Sequence, residues 1–221
     1  MKKILILILL TVICYSSKLS AQDKPHFWDD VQTIKKYDKI YNPPTNPIVF
    51  IGSSSIRKWD NLERTFADYV VMNRGIGGAV VNDITYYIND ILFPYNPRQI
   101  VIYVGENELP DPTATPDSIF NRTKRLLKVI RAKLPEVPIA YISIKPSPVR
   151  EKFVNKAAEA NKLIKNYLAS EKNIVYIDIF GSMLTTEGKT RPELFVEDML
   201  HMNLQGYEIW TKAVKPRLLK R

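Results

Sequence analysis

Three consecutive serines, Ser53-Ser54-Ser55, follow an apolar run that ends at Gly52, and an Asp-x-x-His element, Asp198 to His201, lies near the other end of the chain. A serine hydroxyl is a weak nucleophile until a neighbouring base takes its proton. The chain has two histidines, His26 and His201. His26 falls close to the start of the expected mature chain, where chain ends are commonly mobile, which leaves His201 as the well-placed base at neutral pH. A carboxylate three residues earlier in a tight turn can hold one imidazole nitrogen, fix the tautomer and leave the other nitrogen facing a hydroxyl. Between the serines and the histidine lie Asn73-Arg74-Gly75-Ile76-Gly77-Gly78 and Gly105-Glu106-Asn107-Glu108. Ester hydrolysis builds negative charge on the carbonyl oxygen, and glycine-loop N–H groups and the Asn107 amide are donors suited to it. Loss of one such donor typically costs about 2.7 to 4 kcal/mol in the transition state.

Taken singly, each feature has an ordinary structural reading. Serines and aspartates cap helices, glycines satisfy positive φ, and an asparagine shapes a turn. Together with a suitably placed histidine they point to acyl transfer through a serine. Arg57, Arg74, Glu106 and Glu108 are candidates to line the pocket, but the preferred reading is that they are solvated charges flanking turns.

Such residues need a scaffold that brings distant segments together. Short β-branched runs occur at 47–51 (PIVFI), 69–72 (YVVM), 99–104 (QIVIYV), 138–144 (PIAYISI) and 173–180 (NIVYIDIF), and they predict five buried strands. Helical stripes lie between them: Ile84, Tyr87, Ile88 and Ile91; Ile119, Thr123, Leu126, Leu127 and Ile130; Phe153, Ala157, Leu163, Ile164 and Tyr167. An early helix is expected at about 26–40 and a last one at about 204–214, the latter capped by Asn203. Apolar strands alternating with amphipathic helices imply a parallel sheet covered on both faces, a three-layer α/β/α fold. In such a sheet ligands bind beyond the carboxyl ends of the strands, where all four polar blocks fall.

The first 21 residues read as a secretory leader: Lys2-Lys3, an apolar run from Ile4 to Cys14, and a polar stretch ending Ser20-Ala21. The run is shorter than the roughly 18 residues a spanning helix needs, so no stable membrane anchor is expected. Lipid attachment at Cys14 is disfavoured, because Thr-Val-Ile precedes it where small residues are preferred. Removing 1–21 takes away three lysines and no acids, which changes the net charge from +9 to +6, and it takes away the sole cysteine. Residues 22–221 then form a single exported domain of a size that can bury a full core, without disulfides or Cys-based metal sites. The surplus positive charge is scattered over Lys35-Lys36, Arg122 to Lys133 and Lys215 to Arg221, without interleaved aromatics, which argues against nucleic-acid binding.

In this order, the blocks GSSS, NRGIGG, GENE and Asp198-x-x-His201 resemble those of the SGNH hydrolases, also called GDSL-type esterases and lipases. The similarity is strongest to the branch of platelet-activating-factor acetylhydrolase catalytic subunits. It runs from Phe50 to the final helix and implies a flavodoxin-like five-stranded parallel sheet. It also implies Ser54 as nucleophile, Asp198 and His201 as its partners, and an oxyanion hole from the N–H groups of Ser54 and Gly78 and the amide of Asn107. No metal or cofactor is implied, and the partner is a small ester, an acetylated glycan or lipid. Ser53 stands where the family's first block has Asp, and Glu108 where an Asp often follows the asparagine, so altered turn packing with retained activity is expected. A non-catalytic glycan- or lipid-binding relative is the alternative function. A Gly-x-Ser-x-Gly elbow is disfavoured by Ile56, which stands where its second glycine would be, and a dinucleotide-binding loop by Val80 where its third glycine would fall.

Overall fold

The computed structural model describes residues 24–220. The expected leader, with Cys14, lies outside the described residues. Five strands, β1 (Ile48–Gly52), β2 (Val71–Gly75), β3 (Gln99–Tyr103), β4 (Ile139–Ile142) and β5 (Ile174–Ile177), form one sheet in the order β2-β1-β3-β4-β5. Every pairing is parallel. This is the flavodoxin-like order, with its crossover reversing next to β1.

The longer helices are α1 (Trp28–Tyr41), α6 (Pro116–Lys133), α7 (Val154–Leu168) and α8 (Leu204–Val214). Shorter ones are α2 (Ser54–Arg57), α3 (Leu62–Thr65), α4 (Val81–Tyr86) and α5 (Ile88–Ile91). Among the described residues no helix is long and apolar enough to cross a membrane.

Strand periodicity divides the core into two layers. Val49, Ile51, Ile100 and Ile102 point to one side, where they meet Ile84, Leu126 and Ile164 from α4, α6 and α7. Ile48, Phe50, Val101 and Tyr103 point to the other, against Trp59, Phe66 and Trp210. Trp210 is fully buried and lies 4.6 Å from the Tyr103 ring and 5.8 Å from the Trp59 ring, edge-on in both cases. Aromatic pairs in this arrangement add about 0.5 to 1.5 kcal/mol beyond area burial.

Several elements depart from the periodicity reading. The second strand begins at Val71, because Val70 adopts a left-handed φ of 48° and breaks the extended run after Tyr69. It continues through Asn73 and Arg74, which pair with Phe50 and Ile51 and are therefore strand residues. The expected helix over 84–91 breaks at Tyr87 into α4 and α5. In α7 the buried stripe is Ala157, Ala160, Asn161, Ile164 and Leu168, while Leu163 and Tyr167 are only half-buried. Asn161 is buried because its side chain accepts from Ile144 N at 2.8 Å and donates to Ile144 O at 2.9 Å, completing the backbone bonding where β4 ends. The strand β5 is half-buried along most of its length, as its edge position requires.

The register sets Gly52 beside Gly75 on one side and Tyr103 on the other, so three loops leave the sheet from adjacent positions. Gly52 has a φ of 145°, and a Cβ there would fall 1.8 Å from the Tyr103 carbonyl oxygen. Gly52→Ala is expected to destabilise the protein by more than about 2 kcal/mol, or roughly 4 °C or more in Tm. Gly181→Ala, whose added carbon meets nothing within 4 Å, should stay within about 1 kcal/mol of wild type in the same thermal melts.

Candidate active site

Beyond Gly52 the chain turns sharply into α2. Ser53 N donates to Tyr103 O at 3.0 Å, and Ser53 O accepts from Ile56 N and Arg57 N. Ser53 and Ser55 are buried at 1% exposure, while Ser54 between them is partly open. Ser53 occupies the N-cap position without a side-chain capping bond. The turn thus presents one hydroxyl of three. At the first position of α2 the Ser54 N–H also has no intrahelical acceptor.

His201 arrives from a segment 147 residues away and sets Nε2 3.0 Å from Ser54 Oγ. Its Nδ1 lies 2.5 Å from Asp198 Oδ2. The other Asp198 oxygen accepts from Leu200 N at 2.9 Å and His201 N at 2.8 Å, which closes the Asp-x-x-His turn on itself. Met199 takes a left-handed φ of 54° to allow this. Asn203 holds the turn from behind: it caps α8 through Gly206 N at 3.2 Å and donates to Glu193 O at 2.8 Å.

Partial burial raises the Asp198 carboxyl pKa, but the hydrogen bonds from the His201 ring and from the His201 and Leu200 N–H groups outweigh it and hold the acid well below the carboxylate range. Asp198 is therefore an anion that can only accept. That places the proton on Nδ1 and leaves Nε2 to accept from Ser54.

Gly78 follows β2 with a φ of 83°, and its N–H has no intrachain acceptor among the described residues. A Cβ at Gly78 would meet the Phe27 ring at 3.7 Å, so the start of α1 packs beside this glycine. The expected mobile end at His26 is tied down here, since Tyr87 Oη donates to His26 O at 2.6 Å. Asn107, in a 3-10 turn over Glu106–Glu108, donates from Nδ2 to Ala79 O at 3.0 Å. The second hydrogen on Nδ2 remains for another acceptor.

Glu106 and Glu108 are not solvated charges. They are 3% and 1% exposed. Glu106 accepts from Lys145 Nζ at 2.8 Å, Ser147 Oγ at 2.9 Å and Tyr103 Oη at 2.9 Å. Glu108 accepts from Val81 N at 2.7 Å, which ties the asparagine block to the N-terminus of α4. Of the arginines, Arg57 pairs with Asp30 at 3.1 Å, and Arg74 pairs with Asp38. Lys145 and Arg150 had no place in the sequence reading, yet both contact the asparagine block. The available signal was a lysine closing the apolar run PIAYISI. Burial lowers the Lys145 pKa while Glu106 opposes the shift.

A model of the GDSL-like lipase/acylhydrolase family matches residues 50–209. The chain belongs to this family. It is therefore of a carboxylic ester hydrolase class, in accord with the fold just described. Curated relatives include platelet-activating factor acetylhydrolase IB subunit alpha2 from Rattus norvegicus, 24% identical over 209 residues that span 87% of this chain and 86% of the relative. The same subunit from Homo sapiens is also 24% identical, with the same coverage. Among solved structures, a GDSL-like lipase from Bacteroides thetaiotaomicron superposes with a TM-score of 0.73 at 19% identity, covering 85% of this chain and 96% of that one. A carbohydrate esterase family 3 protein from Talaromyces cellulolyticus gives 0.62 at 17% identity, covering 79% and 96%.

Glu108 offers a pH test. Burial raises its carboxyl above the ordinary 4.5, the Val81 N–H opposes this only in part, and Oε2 has no partner. With a raised folded pKa, the folded state holds the proton more tightly than the unfolded chain. Stability from this group is full below pH 4.5 and falls as pH rises through the folded value. Glu108→Gln keeps the acceptor for Val81 N and removes the titration. Its Tm relative to wild type should improve as pH is raised above 4.5 through the folded value; a difference that stays constant over that rise would contradict the assignment.

Proposed function

We propose that this chain is an exported serine esterase that removes short acyl groups, acetyl above all, from a carbohydrate or lipid through an acyl-enzyme. The observation that carries this reading is the continuous relay from Ser54 Oγ to His201 Nε2 at 3.0 Å and from His201 Nδ1 to Asp198 at 2.5 Å. Ser54 Oγ attacks the ester carbonyl carbon as its proton passes to His201 Nε2, and Asp198 stabilises the imidazolium. Negative charge on the carbonyl oxygen meets the N–H groups of Ser54 and Gly78 and the Asn107 amide. The C–O bond to the alcohol then breaks, and the departing oxygen takes the proton from His201. Water attacks the acyl-serine, gives its proton to the same nitrogen, and the carboxylic acid leaves as that proton returns to Ser54.

The acetyl preference rests on a relative's name, an acetylhydrolase, and the carbohydrate on a structural neighbour's, a carbohydrate esterase. Export rests on Lys2-Lys3, the apolar run after them and Ser20-Ala21. The test is p-nitrophenyl ester hydrolysis from acetyl to octanoyl with protein beginning at Gln22. Turnover should be greatest on acetyl, and Ser54→Ala should lose at least about 10³-fold in kcat with its Tm nearly unchanged. A Ser54→Ala protein that keeps full turnover would sink the assignment.

A further inference from the structure

We propose that Arg150 is a positioning residue that fixes the Asn107 amide with its N–H directed into the oxyanion hole. This rests on the reading of Asn107 as an oxyanion donor. An asparagine amide is nearly the same shape after a half-turn about its last bond, so packing alone does not decide whether NH2 or C=O faces a ligand. Two polar contacts decide it here. Arg150 Nη2 donates to Asn107 Oδ1 at 3.0 Å, and Ala79 O accepts from Asn107 Nδ2 at 3.0 Å. In the flipped amide, NH2 would face the guanidinium and C=O would face the Ala79 carbonyl, donor against donor and acceptor against acceptor.

The guanidinium is itself immobilised. Its Nη1 donates to Glu106 O at 2.7 Å and stands 3.5 Å from the Glu106 carboxylate, and the Arg150 side chain is only 13% exposed. Arg150 N donates to Ser147 O at 2.9 Å, while Ser147 Oγ is bonded to that same carboxylate. One planar fork thus grips the backbone before the asparagine and the side chain of the asparagine itself, a two-point contact that a lysine cannot make.

The segment after β4 also reaches the base. Lys145 Nζ donates to Leu200 O at 2.7 Å and Val149 N to Met199 O at 3.1 Å, both acceptors lying between Asp198 and His201. A loop that supplies no catalytic group therefore sets the oxyanion amide and the base in one frame.

The test is a double-mutant cycle with p-nitrophenyl acetate. Asn107→Ala should lower kcat about 10² to 10³-fold. Arg150→Met should lower kcat by up to about 10²-fold, as for a misplaced group, with KM changed less than about two-fold. In the Asn107→Ala background the Arg150→Met change should cost nothing further, because no amide is left to orient. An equal loss in both backgrounds would overturn the proposal while leaving Asn107 as a donor. Full activity of Asn107→Ala would overturn the oxyanion reading and this inference with it. If Arg150→Met does not fold, Arg150→Lys goes through the same cycle with the same criterion, since it keeps the charge and loses the fork.

Discussion

The buried Glu106 carboxylate is the constraint on which the site is built. An anion taken out of water must find donors for its lone pairs, and this one finds the Lys145 ammonium, the Ser147 and Tyr103 hydroxyls and, at longer range, Arg150. Such a pair is weak evidence for stability, since its desolvation offsets much of the attraction. Removing one partner is another matter, costing about 3 to 5 kcal/mol by leaving the other charge unpaired. The result is geometric restriction. Lys145 and Arg150 have fixed places, and through them so do the Leu200 carbonyl and the Asn107 amide.

The sheet supplies the rest of the restriction. Since all five strands run parallel, every loop after a strand emerges at one edge, and the β2-β1-β3 register puts Gly52, Gly75 and Tyr103 side by side. Hydrogen bonds then join the loops to one another: Ser53 N to Tyr103 O, Ile76 N to Gly52 O, and Val81 N to the Glu108 carboxylate. A site assembled from loops is thereby tied to the sheet and cross-linked loop to loop, the kind of fixing that electrostatic stabilisation by preorganised dipoles requires.

Much of this was legible in the sequence because it is written in local pattern. The five apolar runs, the stripe of α6 and the Asn203 cap depend on neighbours within a few positions, and the Asp198–His201 contact closes a four-residue turn. What could not be read depends on partners far along the chain. Glu106 beside a turn has the same local pattern whether its carboxylate faces water or the interior, and the lysine that decides between them is 39 residues away. Asn161 likewise sits in an amphipathic helix for a reason found in the backbone of Ile144. The break after Tyr69 arises from one left-handed valine, a conformation that β-branched side chains disfavour and that tertiary structure imposes.

The central claim is that the relay makes Ser54 a nucleophile, and covalent labelling tests it most directly. Intact-mass and peptide mapping after exposure to a fluorophosphonate should show one adduct per chain, located on Ser54, with its formation slowed at least about 10²-fold in His201→Ala. An adduct on another residue, or a wild-type chain that stays unlabelled, would contradict the account.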